Sequence, residues 1–416
     1  MSRKILIHSI VFSPDGVSTA YLYNDIALKF KEYGYEVVVL TTTPHYNSVS
    51  SELKKQPLRK RVLGLYYESN FHGINVKHVY QKKYKSTLLR LLGFVYWHIV
   101  SFVLALCEKE IDLILSPSPP LTIGFLNVII AKLKGAKVIY NVQEVYPDLL
   151  IEEGGLKSGL TISFLKWMER FVYNKSDAVT TIDEIFYETI VSRFKDRTKL
   201  HVIPNFVDTD IYKPIDKSTL ELNKELFPDT ESIKVMYAGN IGFAQDWEPL
   251  VALADELKND AVEFFVIGEG AEKERLLQEK VNKQLDKLHI LPYQPRELMP
   301  SLLAYSDIQF IFMSPDTEGH GFPSKVYTIM ACAKPLIVIS GDKTPIINFL
   351  KDKDCAYLLT KRDLQVAVAK IADILRKTSL SEFERLGQNG YVSIANNYSK
   401  EKVTGEYVKL VDGLFG

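Results

Sequence analysis

Short runs of β-branched and other apolar residues alternate along the chain with longer stretches in which apolar positions recur at helical spacing. A first series of such runs predicts strands at 4–12, 36–43, 73–80, 111–116, 137–143, 178–183 and 199–205, and a second predicts strands at 234–239, 262–267, 287–292, 308–313 and 335–340. Strands that alternate with helices imply βαβ units around a parallel sheet, and a series that stops and restarts implies two such sheets. The break falls at 204–230, a polar, Pro-containing stretch suited to joining two domains. The pattern therefore predicts an α/β chain of two doubly wound domains, 1–205 and 206–392. The tail from about 393 to 416 reads as helix and lacks a strand. It either closes the second domain as a last surface helix or crosses back to the first.

Length agrees with this division, because 416 residues exceed what one hydrophobic core usually serves. With 46% hydrophobic and 25% charged residues the chain reads as folded and globular. Lys plus Arg and Asp plus Glu balance at 51 each, which argues against a general nucleic-acid binder. Any acidic partner has to be met by a local cluster of cations. Cys107, Cys332 and Cys355 are odd in number, far apart and without metal-ligand spacing, so they read as reduced, mostly buried thiols. The basic, apolar start MSRKILIHSIVF is followed by Pro14-Asp15-Gly16 and carries no cleavage pattern, so it reads as a first buried strand and not as a signal peptide.

One stretch departs from the soluble pattern. Residues 87–107 are almost continuously apolar, interrupted by Arg90 and His98, whose cost inside a bilayer argues against a spanning helix. Two readings stay open: a helix packed on the sheet, or an interfacial helix that dips into a leaflet. Residues 51–100 carry a net charge of about +8 in a neutral chain, through KKQPLRKR at 54–61 and KKYKSTLLR at 82–90. Cations beside an apolar helix suit an anionic membrane surface, here spanning 54–107.

In open α/β sheets, ligands bind beyond the carboxyl ends of the strands, where backbone N–H groups and helix starts can meet anions. Four strand-end loops have the small residues this needs: Asp15-Gly16-Val17-Ser18, Gly239-Asn240-Ile241-Gly242, Gly268-Glu269-Gly270 and Gly319-His320-Gly321-Phe322-Pro323-Ser324-Lys325. In the last of these, the glycines permit close backbone approach to a phosphate, Pro323 can open a helix and Lys325 adds a cation, although an ordinary turn before a helix has the same pattern. Glu144 follows a strand end and is a candidate functional carboxylate. Asp148 is either a second functional carboxylate or a helix cap. His8 and His45 lie near strand ends and are candidate ligand contacts, whereas His98 reads as a buried or interfacial histidine and not a base. No Cys, His or Asp spacing suggests a metal.

Seven segments in order, PDGVSTAYLYNDIALKFKEYGYEVVVLTT, NVQEVYPDLL, VIPNFVDTDIYKP, MYAGNIGFAQDWEPLV, FVIGEGAEKERL, PYQPRELMPSLLAYSDIQFI and GFPSKVYTIMACAKPLIV, resemble retaining glycosyltransferases of family 4, especially those of bacterial O-antigen, capsule and colanic-acid-type polysaccharides. The resemblance spans nearly the whole chain. It implies the GT-B fold, two Rossmann-like domains facing across a cleft, with the acceptor on the first and a nucleotide-diphosphate sugar, a UDP-sugar, on the second. No metal or other cofactor is implied. Glu144, Lys325 and Gly16 then become the catalytic candidates, with Gly16 facing the donor phosphates and sugar. Gly239, Asn240, Gly242 and Gln245 line the phosphates, and Gly268, Glu269 and Gly270 lie near the nucleoside. Tyr293, Pro295 and Glu297 frame the base. The donor loop supplies Glu318, His320, Gly321, Phe322, Pro323, Ser324 and Tyr327.

The chain departs from the family where many members carry an Arg and a Lys against the leaving diphosphate: here stand Asn240 and Gln245, both uncharged. The family's two glutamates spaced eight apart are also incomplete, since counting from Glu318 gives Val326 and counting back from Thr328 gives His320. Lys325 is the replacement cation this pattern suggests. The basic cluster implies a polyprenyl-diphosphate-linked saccharide acceptor and a peripheral, cytoplasmic position on the inner face of the bacterial membrane. Two rivals share the frame: a sugar-nucleotide 2-epimerase, and a non-catalytic nucleotide-binding partner in a polysaccharide assembly complex.

Overall fold

The computed structural model describes residues 2–46, 50–82, 86–152, 154–318 and 322–416. Two compact units divide the chain, Met1–Asn205 with Glu401–Gly416, and Phe206–Lys400. The first holds strands β1 (Lys4–His8), β2 (Glu36–Thr42), β3 (Arg59–Arg61), β4 (Tyr66–Phe71), β5 (Ile74–Val79), β6 (Leu113–Pro117), β7 (Lys137–Val142), β8 (Ala178–Thr181) and β9 (Leu200–Val202). Their order is β3-β4-β5-β2-β1-β6-β7-β8-β9. From β5 to β9 the pairing is parallel, while β3, β4 and β5 form an antiparallel edge. Helices cover both faces of such a sheet, so its central strands are buried nearly throughout and mostly apolar; β2 is buried from Val37 to Thr42.

The second unit holds β10 (Ile233–Ala238), β11 (Val262–Ile267), β12 (Leu288–Leu291), β13 (Ile308–Phe312), β14 (Leu336–Ile339) and β15 (Ala356–Leu359) in the order β12-β11-β10-β13-β14-β15. All five pairings are parallel. Counted within this unit the order is 3-2-1-4-5-6, that of dinucleotide-binding folds, with its switch point between β10 and β13. Two layers of core flank the sheet. Phe264, Phe310 and Trp247 lie in one, and Val326, Met330 and Val338 in the other.

Three strands escape the periodicity. β3 is the fully exposed run Arg-Lys-Arg, β4 pairs with β5 through a turn at His72-Gly73 with positive φ at both residues, and β15 is a short, half-buried edge strand. β3 and β4 lack the continuous apolar run of a central strand, whereas β15, Ala356-Tyr357-Leu358-Leu359, has only a short one at the sheet edge. β1 stops at His8 and not at 12, because Ser9 Oγ donates to the Val11 carbonyl at 2.7 Å and turns the chain. The polar stretch 204–230 is packed and not loose: Tyr212 enters one core cluster of the second unit, and Leu220, Leu222 and Leu226 lie against another. Cys332 and Cys355 are buried, but Cys107 is exposed.

The tail divides. Helix Leu380–Asn397 belongs to the second unit, and helix Lys400–Phe415 to the first, where Val403, Tyr407, Val408 and Val411 are buried. There Asn141 Nδ2 donates to the Tyr407 hydroxyl at 3.0 Å, and Lys29 pairs with Glu401 at 2.6 Å.

Helix Thr87–Cys107 is long and apolar enough to cross a membrane by length and composition, with a mean hydropathy of 1.8. One face, with Trp97, Val100, Ser101 and Ala105, is nevertheless packed into the first unit, and His98 Nε2 shares a hydrogen bond of 2.8 Å with Thr122 Oγ1. The opposite face leaves Leu88, Leu91, Leu92, Val95, Ile99 and Val103 exposed. The reading of a helix packed on the sheet thus holds for one face, and the other face is left uncovered by its own unit. Helix Gly159–Lys175 adds exposed Leu160, Phe164 and Trp167, and the turn after β3 holds Leu63 fully exposed at a φ of 55°. A leucine in that backbone region, wholly in solvent, gains nothing from the fold around it.

Candidate functional site

In the second unit the glycine-rich loops follow the tips of β10 and β11. Gly239 and Gly268 adopt φ of 148° and 150°, a region that side chains disfavour. Their loops lie backbone against backbone: Ile241 N donates to the Glu269 carbonyl and Glu272 N to the Ile241 carbonyl, both at 2.9 Å. A Cβ on Gly268 would stand 1.9 Å from the Gly239 oxygen, and one on Gly270 would stand 2.1 Å from the Ile241 oxygen. The loop from Gly239 then crosses the switch point, where Gln245 bridges to Met313 and Asp246 N donates to the Phe312 carbonyl at 2.7 Å. Among the described residues the N–H groups of Asn240 and Gly242 donate to nothing, so two amides at the tip of β10 are free for an anion. Asn240 is exposed. Gln245 is buried, with Nε2 3.2 Å from the Ala244 carbonyl and Oε1 without a partner among the described residues.

Lys325 opens helix Lys325–Ala331 and reaches back to the same tip. Its ammonium lies 3.4 Å from the centre of the Tyr237 ring and donates to the Ala238 carbonyl at 3.2 Å. Loss of water around the ammonium pushes its pKa down from 10.5 to about 7. A part-hydrated cation of this kind is held ready for a strong anion, because bringing a phosphate beside it restores the charged form. Free amides and this ammonium together form a site with positive character in a chain that lacks the family's Arg and Lys there.

The remaining donor candidates spread along the same sheet edge. Glu269 is exposed, and Lys273 donating to it at 2.7 Å holds its carboxyl below the usual range. Tyr293, Pro295 and Glu297 lie exposed beyond β12, on the far side of β11 from β10. Beyond β13, Glu318 accepts from Ser340 Oγ at 2.9 Å and from Gly341 N at 2.6 Å, and forms an ion pair with Arg362. Its carboxylate therefore joins the loops after β13, β14 and β15. Phe322 and Tyr327 belong to an aromatic cluster with Phe349 and Tyr398, in which the Tyr327 ring is buried. Pro323 is half-buried and Ser324 exposed at the start of the helix. His320 and Gly321 lie outside the described residues, as do Gly319, Lys83 and Lys85.

In the first unit, Gly16 lies in the loop between β1 and helix Ser18–Glu32. Neighbouring Asp15 is buried and accepts from the N–H groups of His45 and Tyr46, both at 3.1 Å, which binds the loop after β1 to that after β2. Glu144 is half-buried just past β7, its carbonyl accepting from Ser118 Oγ at 3.4 Å. With β6 between β1 and β7, the two loops start about 10 Å apart. Asp148 forms an ion pair with Arg193, which also pairs with buried Glu169. Burial pushes the Glu169 carboxyl up to about 7 although Arg193 pulls the other way. His8 does not reach an acceptor surface: it is fully buried, bonded to Asn127 at 2.7 Å and set against Trp97, and burial pushes it down to about 4.

Among the described residues no group of three or more His, Cys, Asp or Glu could hold a metal ion. Two residues that shape this edge carry no signal in the sequence. Tyr237 reads as strand core, and Arg362 meets Glu318 from 44 residues away.

Residues 20–205 match the family model described as a glycosyl transferase 4-like domain, and residues 218–393 match that of glycosyl transferases group 1. WcaI of Escherichia coli, named as a colanic acid biosynthesis glycosyl transferase, is 24% identical over 352 residues, covering 82% of this chain and 84% of WcaI. Among solved structures, sucrose-phosphate synthase from Thermosynechococcus elongatus superposes with a TM-score of 0.73 at 14% identity, over 99% of each chain. HepE of Anabaena, solved in complex with UDP, gives a TM-score of 0.69 at 15% identity, covering 99% of this chain and 100% of HepE. With a glycosyl transferase model on each unit and this fold shared along its length, the chain belongs to the glycosyltransferases of GT-B architecture.

Proposed function

We propose that the protein transfers a sugar, with retention of configuration, from a UDP-sugar held by its second unit to a saccharide carried on a polyprenyl diphosphate and met by its first unit, in the assembly of a bacterial surface polysaccharide. The observation that carries this is the tip of β10, where the Asn240 and Gly242 amides have no partner among the described residues and the Lys325 ammonium lies against Ala238 and Gly239 of the same tip. Negative charge grows on the diphosphate as the glycosidic bond to the donor breaks, and preorganised donors there stabilise that state more than the ground state. Exposed Tyr293, at a sheet position remote from the phosphate end, suits a stacked base. The complex of HepE with UDP and the name of WcaI support the choice of nucleotide and of pathway class. Glu144, at the tip of β7, is the first-unit carboxylate assigned to the acceptor or to the cation-like sugar, with Gly16 two strands away after β1.

Incubating the purified protein with a panel of nucleotide sugars and a polyprenyl-diphosphate saccharide tests the reading. Transfer from one donor with retained configuration is expected. Epimerised nucleotide sugar without transfer, or binding without turnover, overturns it.

A lipid-linked acceptor requires the enzyme to work at a membrane surface on the cytoplasmic side. The exposed leucines of helix Thr87–Cys107, the outward Leu63, and exposed Arg59 and Lys60 of β3 form the surface suited to it. The protein is expected to sediment with vesicles containing anionic phospholipid and to be released by salt. Reversing Arg59, Lys60 and Lys82 to glutamate is expected to weaken vesicle binding at least tenfold, at about 1 kcal/mol for each cation near the surface. Sedimentation unaffected by these changes removes the membrane from the proposal.

A further inference from the structure

We propose that Tyr237 is a positioning residue of the diphosphate site, its ring carrying the Lys325 ammonium and its hydroxyl fixing the backbone of Asn240. This rests on the reading of Lys325 as the cation that meets the leaving diphosphate. Tyr237 is the penultimate residue of β10 and is buried. Trp247 meets it edge-on at 5.0 Å between ring centres and Phe310 lies at 5.5 Å, so the ring has no freedom to follow a moving partner. Its hydroxyl donates to the Asn240 carbonyl at 2.7 Å, three residues ahead, and so draws the Gly239-Asn240 turn down over its own strand. That bond orients the Asn240 peptide whose neighbours present the free amides.

The same ring is the floor under Lys325. With the ammonium 3.4 Å from the ring centre, bonded to the Ala238 carbonyl and facing Gly239, where a Cβ would stand 2.6 Å from Nζ, the cation has one defined seat. The negative face of the ring favours the charged lysine at a place where burial opposes it. Among the described residues no carboxylate pulls on this ammonium. Among the described residues the titratable groups next to it are Tyr237 itself and Tyr212, across a cavity of about 120 Å³ whose other walls include uncharged Met299, Leu303, Gln309 and Thr328. One tyrosine therefore couples the two parts of the anion site, the amides and the cation, that a glycosyltransferase lacking the Arg and Lys pair has at this strand tip.

Three variants separate the parts, read by kcat/KM for the donor against pH, with UDP binding and thermal unfolding alongside. Tyr237→Phe keeps the ring and loses the tether; it is expected to lower kcat/KM about two- to tenfold with the falling limb near pH 7 in place. Tyr237→Leu removes both; it is expected to cost at least tenfold and to move that limb to lower pH, because the charged lysine loses its ring. Pentafluorophenylalanine at 237 keeps the shape with the ring's polarity reversed, and is expected to move the limb as leucine does even if the leucine variant fails to fold. A limb that stays in place with the fluorinated ring overturns the role of Tyr237. In that case Lys325→Met distinguishes the two ideas: lost turnover leaves the lysine reading standing alone, and unchanged turnover overturns both.

Discussion

Replacing Lys325 with methionine is expected to lower kcat/KM for the nucleotide-sugar donor by about a hundredfold to a thousandfold, the usual loss on removing a preorganised group that meets developing charge. The folded state should not suffer. Methionine occupies similar space, and the ammonium it replaces is held at a pKa of about 7 because burial disfavours its charge. A lysine whose folded pKa is lowered opposes folding fully when both states are charged, below about 7. Between about 7 and 10.5 the folded chain sheds a proton that the unfolded chain keeps, so stability rises with pH in that window. The variant, lacking the group, should equal or exceed the wild type in thermal midpoint at neutral pH and lose this advantage as pH is raised. The same titration predicts that wild-type kcat/KM for the donor falls as pH rises through about 7, since the free enzyme then loses its cation. Steady-state kinetics and thermal unfolding across pH check both statements. A methionine variant with unchanged kcat/KM removes Lys325 from the chemistry.

Gly270→Ala is expected to be nearly as damaging, and by a different route. The backbone at Gly270 has no positive φ to lose, so the effect is steric. A Cβ there would stand 2.1 Å from the Ile241 oxygen, 2.4 Å from its carbonyl carbon and 2.7 Å from its nitrogen. Ile241 is fully buried and its backbone is bonded on both sides to the loop after β11, so the neighbour cannot yield without parting the two strand tips. Overpacking of this kind costs about 1–3 kcal/mol, and a displacement of about 1 Å at the phosphate end costs about a hundredfold in rate. Gly405→Ala is the control. It lies in helix Lys400–Phe415 with nothing within 4 Å of the added carbon, and should stabilise the protein by about 0.5–1 kcal/mol without touching turnover. A Gly270→Ala enzyme with wild-type kinetics would show that the two loops need not touch.

The two sheets were legible because their central strands, such as Val37–Leu40 and Phe264–Ile267, are buried on both faces and so are apolar without interruption. β3 and β4 were not, since an edge of Arg59, Lys60 and Arg61 satisfies its backbone through a hairpin and its side chains through water. The glycines at 239, 242, 268 and 270 could be found from their places after strands, and their need for close approach is now visible in which atoms a Cβ would strike. Partners remote in sequence could not be found that way. Glu318 gives its carboxylate to Arg362 beyond another strand, and Tyr237 serves Lys325 across 88 positions while reading as one more core aromatic. His8 shows the converse, a residue near a strand end whose ring the Thr87–Cys107 helix seals inside.

Helix Lys400–Phe415 gives the first unit a peculiar birth. When the ribosome has made residue 205, the sheet of that unit is complete but Asn141 has no Tyr407, Lys29 has no Glu401, and the places of Val403 and Val411 stand open to water. The unit begun first must wait for residues 401–416, while the one begun second has all of its own chain by Lys400. Cutting the gene at residue 205 would therefore deliver an unfinished protein, and an amino-terminal half meant to be studied alone needs its distant helix joined back on.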